Sequence, residues 1–183
     1  MRYPFIESPN VTRVGGRTID TIVIHTIEIV EVENAAERCA RWFASPRSEV
    51  SAHYCVDADS VIQCVREEDV AWHARGGNRS SIGVELAGTA KQTTEEWADA
   101  YSAAVLVRAA ELVAEVALRH DVPVRRIGPV GLQRGARGIT GHADVSQAFR
   151  KSDHWDPGPG FPWARFLADV RVAARARDLR QLV

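Results

Sequence analysis

The segment TIDTIVIHT, residues 18–26, constrains the fold more than any other part of the chain. It is an almost unbroken run of β-branched residues, and a glycine pair precedes it. β-Branched residues favour extended backbone, and an apolar run of this length is typical of a buried strand. The chain has 183 residues, which suits one domain with a sizeable core around such a strand.

The rest of the chain alternates helix and strand patterns. In chain order it predicts a helix over Asn34–Phe43, a hairpin over Ser51–Val65, a strand over Ser81–Gly88, a helix from Thr93 to about His120, a short strand in GITGH (residues 138–142) and a helix from Trp163 to about Arg175. Asn34 with Glu37, and Thr93 with Glu96, have the spacing of helix-capping pairs. The glycine- and arginine-rich stretch 125–138 predicts a loop.

This order of elements predicts an α/β fold. We expect a single domain over residues 1–183, with a mixed central β-sheet flanked by helices. In sheets of this kind, functional residues gather at the ends of strands and in the loops that follow them. Candidate site residues are therefore sought there.

Composition narrows the partners and the compartment. The formal net charge is −1, and no basic stripe is present, so we expect no nucleic-acid partner. No run approaches the roughly 18 apolar residues of a membrane span, so we expect no membrane insertion. The N-terminal MRYPFIESPN lacks the apolar run of a secretory signal, which predicts a cytoplasmic protein as synthesised. Three cysteines are too few for a disulfide framework and are predicted to be reduced.

Histidines and an acid stand beside the predicted strand ends and a proline-rich stretch. His25 ends the first strand and His142 follows the short one, whereas Asp156 precedes Pro157 and Pro159, which stiffen the backbone. Catalytic zinc often takes two histidines and one carboxylate. The chain has six histidines, so such a trio also arises by chance, and spacing alone favours a structural role over a zinc hydrolase.

Five segments, taken together, change that balance. In chain order they are IVIHT, SAHYCVD, AWHARGGNRSSIGVELAG, ITGHADV and DPGPGFPW, and they extend from the first predicted strand to residue 163. This set resembles the zinc-dependent N-acetylmuramoyl-L-alanine amidases, a superfamily that includes phage endolysins, bacterial recycling amidases and peptidoglycan recognition proteins. The resemblance implies hydrolysis of the amide between N-acetylmuramic acid and the L-alanine of the stem peptide.

The resemblance also implies a role for five residues. His25, His142 and Asp156 match the ligands of one catalytic zinc ion, which lowers the pKa of bound water to around 7. Glu85 matches the glutamate that serves as general base and then general acid. His154 stands two positions before the third ligand, where many relatives keep a lysine, and is implied to stabilise the oxyanion.

Three further residues are implied to contact substrate. Trp72 and His73 lie in the element that lines the glycan–peptide groove of the family, and Arg79 is placed to pair with a stem-peptide carboxylate. For each there is a simpler alternative, since Trp72 and His73 could pack within a loop and Arg79 could be a solvated surface residue.

The third zinc ligand has a competing assignment. The stretch RKSDHWDPGP is longer than the RKTDPGP form of some recycling amidases, so a register shift of three residues would make Asp153 the ligand and Lys151 the donor. Asp156 is favoured because it keeps the DPGP unit whole.

The alternative to an enzyme is a peptidoglycan-recognition module that binds without cutting. The presence of all three candidate ligands and of Glu85 favours the enzyme. Its substrate is then peptidoglycan or a soluble muropeptide, and two settings fit: an endolysin released from the cytoplasm to reach the wall, or a cytoplasmic recycling amidase. The family resemblance implies a monomer.

Overall fold

The structure is a computed structural model that describes residues 3–181. Its strands are β1 (Val11–Thr12), β2 (Thr21–Thr26), β3 (Tyr54–Val56), β4 (Val61–Gln63), β5 (Val70–Ala71), β6 (Ser81–Leu86) and β7 (Gly138–Gly141). Its helices are α1 (Ala35–Phe43), α2 (Ala100–Arg119), α3 (Pro129–Gln133), α4 (His142–Phe149) and α5 (Trp163–Gln181). None of the helices in this described range is long and apolar enough to cross a membrane.

Five strands form one mixed sheet in the order β4-β3-β6-β2-β7, while β1 pairs separately with β5. β2 runs parallel to both β6 and β7, β6 runs parallel to β3, and β3 pairs antiparallel with β4. The predicted buried strand is confirmed as β2, in which all six residues are buried. The predicted mixed sheet with flanking helices is confirmed as well.

The two faces of the sheet are covered differently. Ile22 and Ile24 of β2 belong to the main core, where α2 and α5 pack against the sheet. On the opposite face, α1 packs on the β3–β4 hairpin through Phe43, and Val145 of α4 contacts Val23. Between α1 and α4 this face stays open as a cavity at the carboxyl ends of β2 and β6.

The start of α1 does not follow the predicted capping pair. Asn34 has a left-handed backbone (φ 60°), and its side chain makes no capping hydrogen bond. Instead, Asp57 in the hairpin turn accepts a hydrogen bond from the Ala36 N–H at 2.9 Å, and its other oxygen accepts from the Ser60 N–H at 2.8 Å. A residue distant in sequence therefore caps α1, and local spacing could not reveal it.

The second predicted pair exists but caps a different element. Thr93 and Glu96 exchange hydrogen bonds with each other's backbone N–H groups, at 3.2 and 2.7 Å, at the start of a 3-10 helix over Glu96–Ala98. The helix α2 begins only at Ala100, where the Asp99 carboxylate accepts from the backbone of the first turn. The long predicted helix is thus confirmed in type and shortened at its start.

Other boundaries differ because the elements are short or join without a loop. The predicted loop over residues 125–138 contains the five-residue helix α3, and α4 follows β7 directly. The last helix extends to Gln181. All three cysteines are free and buried, as predicted.

Replacing Asp57 by alanine is expected to destabilise the protein by about 1–2 kcal/mol, because it removes the cap of α1 and opens the hairpin turn together. Urea unfolding would measure the loss. Asp59→Ala is the matched control, since Asp59 lies in the same turn with an exposed side chain, and should cost below about 0.5 kcal/mol. Equal effects of the two substitutions would contradict the capping role.

Candidate metal centre and its groove

The parallel pairing of β2 and β6 brings the first two site residues together. In the register of this pair His25 stands opposite Glu85, and Glu85 in turn stands opposite Cys55 of β3. Because side chains alternate along a strand, the three share the face of the sheet that α1 and α4 leave open. The Oε1 atom of Glu85 lies 4.0 Å from Nδ1 of His25.

The parallel pairing of β2 with β7 brings His142 to the same place. Ile24 pairs with Gly141, so the residues that follow them, His25 in β2 and His142 at the start of α4, lie at the same end of the sheet. Gly141 has no side chain to obstruct the chain that returns there, since a Cβ at this position would lie 2.8 Å from the Cδ of Pro157. The stretch around Asp156 can therefore lie against the start of α4.

Asp156 closes the cluster. Its backbone oxygen accepts a hydrogen bond from the Ala143 N–H at 2.9 Å, which ties this residue to the first turn of α4. Its Oδ2 lies 3.0 Å from Nδ1 of His25, and its Oδ1 lies 3.3 Å from Nδ1 of His142. All three residues are buried, and their ligand atoms lie within 4.8 Å of one another.

The donor set fits a divalent metal ion. Two imidazole nitrogens and one carboxylate oxygen converge, and the outer nitrogen of each ring faces a protein partner: His25 Nε2 is 3.0 Å from His73 Nδ1, and His142 Nε2 is 3.4 Å from Ser152 Oγ. Metal-binding histidines use the outer nitrogen in this way, which leaves the inner lone pair for the ion. The cluster of His25, His142 and Asp156 could therefore hold a metal.

Electrostatics within the cluster favour a cation. Burial by itself would raise the pKa of Asp156, but its contacts with His142 and His25 outweigh burial and lower that pKa below the ordinary range. Burial lowers the pKa of His142, and it lowers the pKa of His73 well below its ordinary value. A neutral His142 and an ionised Asp156 are the states in which these two groups can bind a metal.

The pKa of Glu85 shifts in the opposite direction from that of Asp156. The Glu85 side chain is only 13% exposed. Burial, followed by the nearby ionisable groups Cys39 and Asp156, raises the pKa of Glu85 well above its ordinary value. A divalent cation beside it would oppose this shift, because a cation favours the ionised carboxylate. Strongly perturbed pKa values of this kind are typical of functional carboxyl groups.

His154 lies at the entrance to the cluster. Its ring stacks on that of His142, with centroids 4.4 Å apart and planes 15° apart, and its Nδ1 lies 3.7 Å from Asp156 Oδ1. The side chain is 61% exposed, so it can approach a group that enters from solvent. Asp153, the competing candidate, is exposed, whereas Asp156 is buried between the two histidines.

A groove runs over the cluster. One cavity of about 380 Å³ extends toward α1 and is lined by Trp42, Trp72 and Trp155 among others. A second cavity, of about 350 Å³, shares Trp72 with the first, and its lining also includes Arg75, which does not line the first. Trp155 is 48% exposed, so this tryptophan forms part of the cavity wall instead of packing into the core.

Sequence reasoning missed several of these wall residues. Trp42 belongs to the face of α1 beside the groove and lies outside the five motif segments, whereas Arg75 lies within AWHARGGNRSSIGVELAG, where the sequence favours Arg79 instead. Arg79, the arginine expected from sequence to contact substrate, is exposed; its backbone oxygen accepts a hydrogen bond from Arg17.

In the metal-free protein, Glu85→Gln is expected to increase stability at neutral pH. The pKa of Glu85 is higher in the folded state than in the unfolded state. The stabilising contribution of this group to the free energy of unfolding is therefore complete below the ordinary pKa of about 4.5, and it is lost as pH rises through the folded-state pKa. At pH 8 the variant should exceed the wild type by about 1–3 kcal/mol, because glutamine removes the buried negative charge and its desolvation cost. Urea unfolding at pH 4.5 and 8 measures this difference.

Glu49→Gln is the control, because Glu49 lies at the rim of the groove and is exposed. It should leave the free energy of unfolding unchanged at both pH values. A Glu85→Gln variant that is no more stable than the wild type at pH 8 would show that the Glu85 carboxylate carries no buried-charge cost.

Comparison with known proteins places this chain in a family. The family model described as N-acetylmuramoyl-L-alanine amidase matches residues 15–159, which include β2, β6, β7 and all three residues of the cluster. The chain is also 29% identical over 168 residues to N-acetylmuramoyl-L-alanine amidase A of Achromobacter lyticus, with 87% of each chain covered.

Solved structures agree in fold. The hydrolase AmiA of Staphylococcus aureus, solved in complex with its ligand, superposes with a TM-score of 0.72 at 17% identity and covers 97% of this chain and 86% of its own. The catalytic domain of XlyA superposes with a TM-score of 0.66 at 21% identity, and covers 93% of this chain and 99% of its own. The chain therefore belongs to the N-acetylmuramoyl-L-alanine amidase family and is an enzyme that hydrolyses the amide between N-acetylmuramic acid and L-alanine in peptidoglycan.

Proposed function

We propose that this amidase works with one zinc ion held by Nδ1 of His25, Nδ1 of His142 and a carboxylate oxygen of Asp156. The observation that carries the proposal is the convergence of these three buried groups, whose ligand atoms lie within 4.8 Å of one another. Two histidines and one carboxylate are a common ligand set for catalytic zinc, which keeps its fourth position for water or substrate.

Glu85 is the proposed general base and general acid. Zinc, when bound, supplies a Lewis acid that polarises the substrate carbonyl and lowers the pKa of a coordinated water to around 7. The Glu85 carboxylate lies beside the ligands on the same face of the sheet, where it takes a proton from the attacking water. It then donates that proton to the nitrogen of the leaving L-alanine. Its raised pKa suits both halves of this exchange.

His154 is the proposed donor to the oxyanion. The amide oxygen gains negative charge as water adds, and an N–H group aimed at that charge stabilises the transition state. Stacking on His142 holds the exposed ring of His154 over the entrance to the site. A ring N–H of His154 can therefore reach an oxygen that a lysine would reach from the same position in relatives.

Substrate contacts are proposed along the groove. Trp72 lines both cavities and offers an aromatic face beside the scissile amide. His73 lines both as well, but its two ring nitrogens face His25 and Ser81, so it can contact substrate only through ring carbon atoms. For the stem-peptide carboxylate we propose Arg75 as the nearer partner, with Arg79 serving a carboxylate farther from the metal.

The enzyme is proposed to act as a monomer on either peptidoglycan or a soluble muropeptide. Preference between these substrates separates a wall-degrading enzyme from a recycling enzyme. The complete set of candidate ligands together with Glu85 agrees with catalysis and not with a recognition module that binds without cutting.

Two variants should distinguish the loss of proton transfer from the loss of zinc. Glu85→Gln is expected to keep about one zinc per chain and to lose about 100-fold or more in kcat, because only the proton transfer is removed. His142→Ala should lose both zinc and turnover. The measurements are metal content and the release of L-alanine amino termini from purified peptidoglycan and from a soluble muropeptide. Undiminished turnover in Glu85→Gln, or turnover in zinc-free His142→Ala, would contradict the roles proposed for Glu85 and for the zinc ion.

Arg75→Gln is expected to raise KM for substrates that carry a free stem-peptide carboxylate by about 10-fold, because it removes one charge-assisted contact. The amidated form of the same peptide should lose much less. Arg125→Gln is the matched control, since Arg125 is an arginine whose side chain bonds to the Arg137 backbone instead of lining the groove. Equal losses for acid and amide substrates would rule out the carboxylate contact.

A further inference from the structure

His73 is the middle member of a chain of hydrogen bonds that ends at the metal centre. The Ser81 hydroxyl donates to the Gly77 carbonyl oxygen at 2.9 Å, and the same oxygen, Ser81 Oγ, lies 3.1 Å from His73 Nε2. On the other side of the ring, His73 Nδ1 lies 3.0 Å from His25 Nε2. His25 Nδ1 then faces Asp156 at 3.0 Å.

The order of donors along this chain follows from counting hydrogens. A carbonyl oxygen only accepts, so the single hydrogen of the Ser81 hydroxyl is used on Gly77, and Ser81 Oγ must accept from His73 Nε2–H. A neutral imidazole has one N–H, so His73 Nδ1 is an acceptor. The hydrogen between the two rings therefore belongs to His25 Nε2, which leaves the lone pair of His25 on Nδ1.

The backbone holds His73 in the place that this arrangement needs. The Asn78 side-chain oxygen accepts from the N–H groups of His73 and Ala74, at 3.2 and 2.6 Å. The ring lies directly over Gly83 of β6, where a Cβ would come within 2.6 Å of His73 Cγ. A glycine in the middle of the strand thus makes room for the imidazole against the sheet.

The second histidine of the cluster has no comparable support among the described residues. His142 Nε2 faces Ser152 Oγ at 3.4 Å, a longer contact, and Ser152 Oγ lies 2.7 Å from Ser146 Oγ, in a pair where either hydroxyl can donate. A hydroxyl in that position does not select one tautomer of the ring, whereas the chain through Ser81 does so for His25. The two candidate ligands are therefore held unequally.

We propose that His73 is a positioning residue that fixes His25 in the tautomer with its lone pair on Nδ1, and thereby sets the affinity of the site for zinc. This inference rests on the zinc centre proposed above. It gives His73 a use other than the substrate contact that its motif implies. Outer hydrogen-bond partners of metal-binding histidines typically change metal affinity by about 10- to 100-fold when removed.

The test compares zinc affinity in the purified full chain, measured by competition with a chromophoric chelator. His73→Ala removes the acceptor and is expected to bind zinc about 10- to 100-fold more weakly. His73→Asn can place its amide oxygen near the position of Nδ1, and should recover affinity to within a few-fold of wild type. Ser152→Ala is the matched control at the other histidine and should change affinity less than His73→Ala.

Circular dichroism of each metal-free variant shows whether it folds, and Ser81→Ala covers the case in which His73→Ala does not. Ser81→Ala removes only the far acceptor, which frees the other tautomer of His73, and should weaken zinc binding several-fold. Wild-type zinc affinity in folded His73→Ala, or equal weakening in the Ala and Asn variants, would overturn the positioning role. If the wild type binds no zinc, the proposed zinc centre is wrong, and the positioning role of His73 is wrong with it.

Discussion

The parallel pairing of β2 with β6 and β7 is the constraint on which the rest of the site depends. His25, Glu85 and His142 come from three strands or strand ends, and only this register places them at one edge and on one face. A shift of β2 by one residue would turn His25 toward α2 and α5 and would expose Ile24 in the groove. The apolar packing of the opposite face therefore enforces the register that the chemistry needs.

Helices cover the two faces of the sheet unequally. One face is closed by two long helices over a continuous apolar core, and the other is closed only at its sides, by α1 and α4. Buried acids and imidazoles in the gap oppose folding, because charged groups lose hydration there. The large core on the first face offsets that cost, and the gap becomes a groove in which a metal ion and a substrate can replace the missing partners.

Elements with a strong pattern could be predicted, and those that depend on distant partners could not. β2 and the helix containing Val105 and Leu112 have long, clear patterns, and both are confirmed in type, although each begins several residues later than predicted. The predicted cap of α1 is wrong, because the acceptor is Asp57 in the neighbouring hairpin. The helix α4 is missing from the sequence prediction, since a strand that passes directly into a helix leaves no loop to mark the boundary.

The sequence by itself determined which reactive side chains are available, namely the histidines and the acids. It also determined the buried strand and the motifs that resemble one family of amidases. Residue type and local spacing carry that information. Only the tertiary structure decided that Asp156 and not Asp153 lies between His25 and His142. It also decided that Nδ1 of His73 faces Nε2 of His25. These contacts join segments that are far apart in the chain. They depend on strand register and on the close approach of two backbones, which no local pattern encodes.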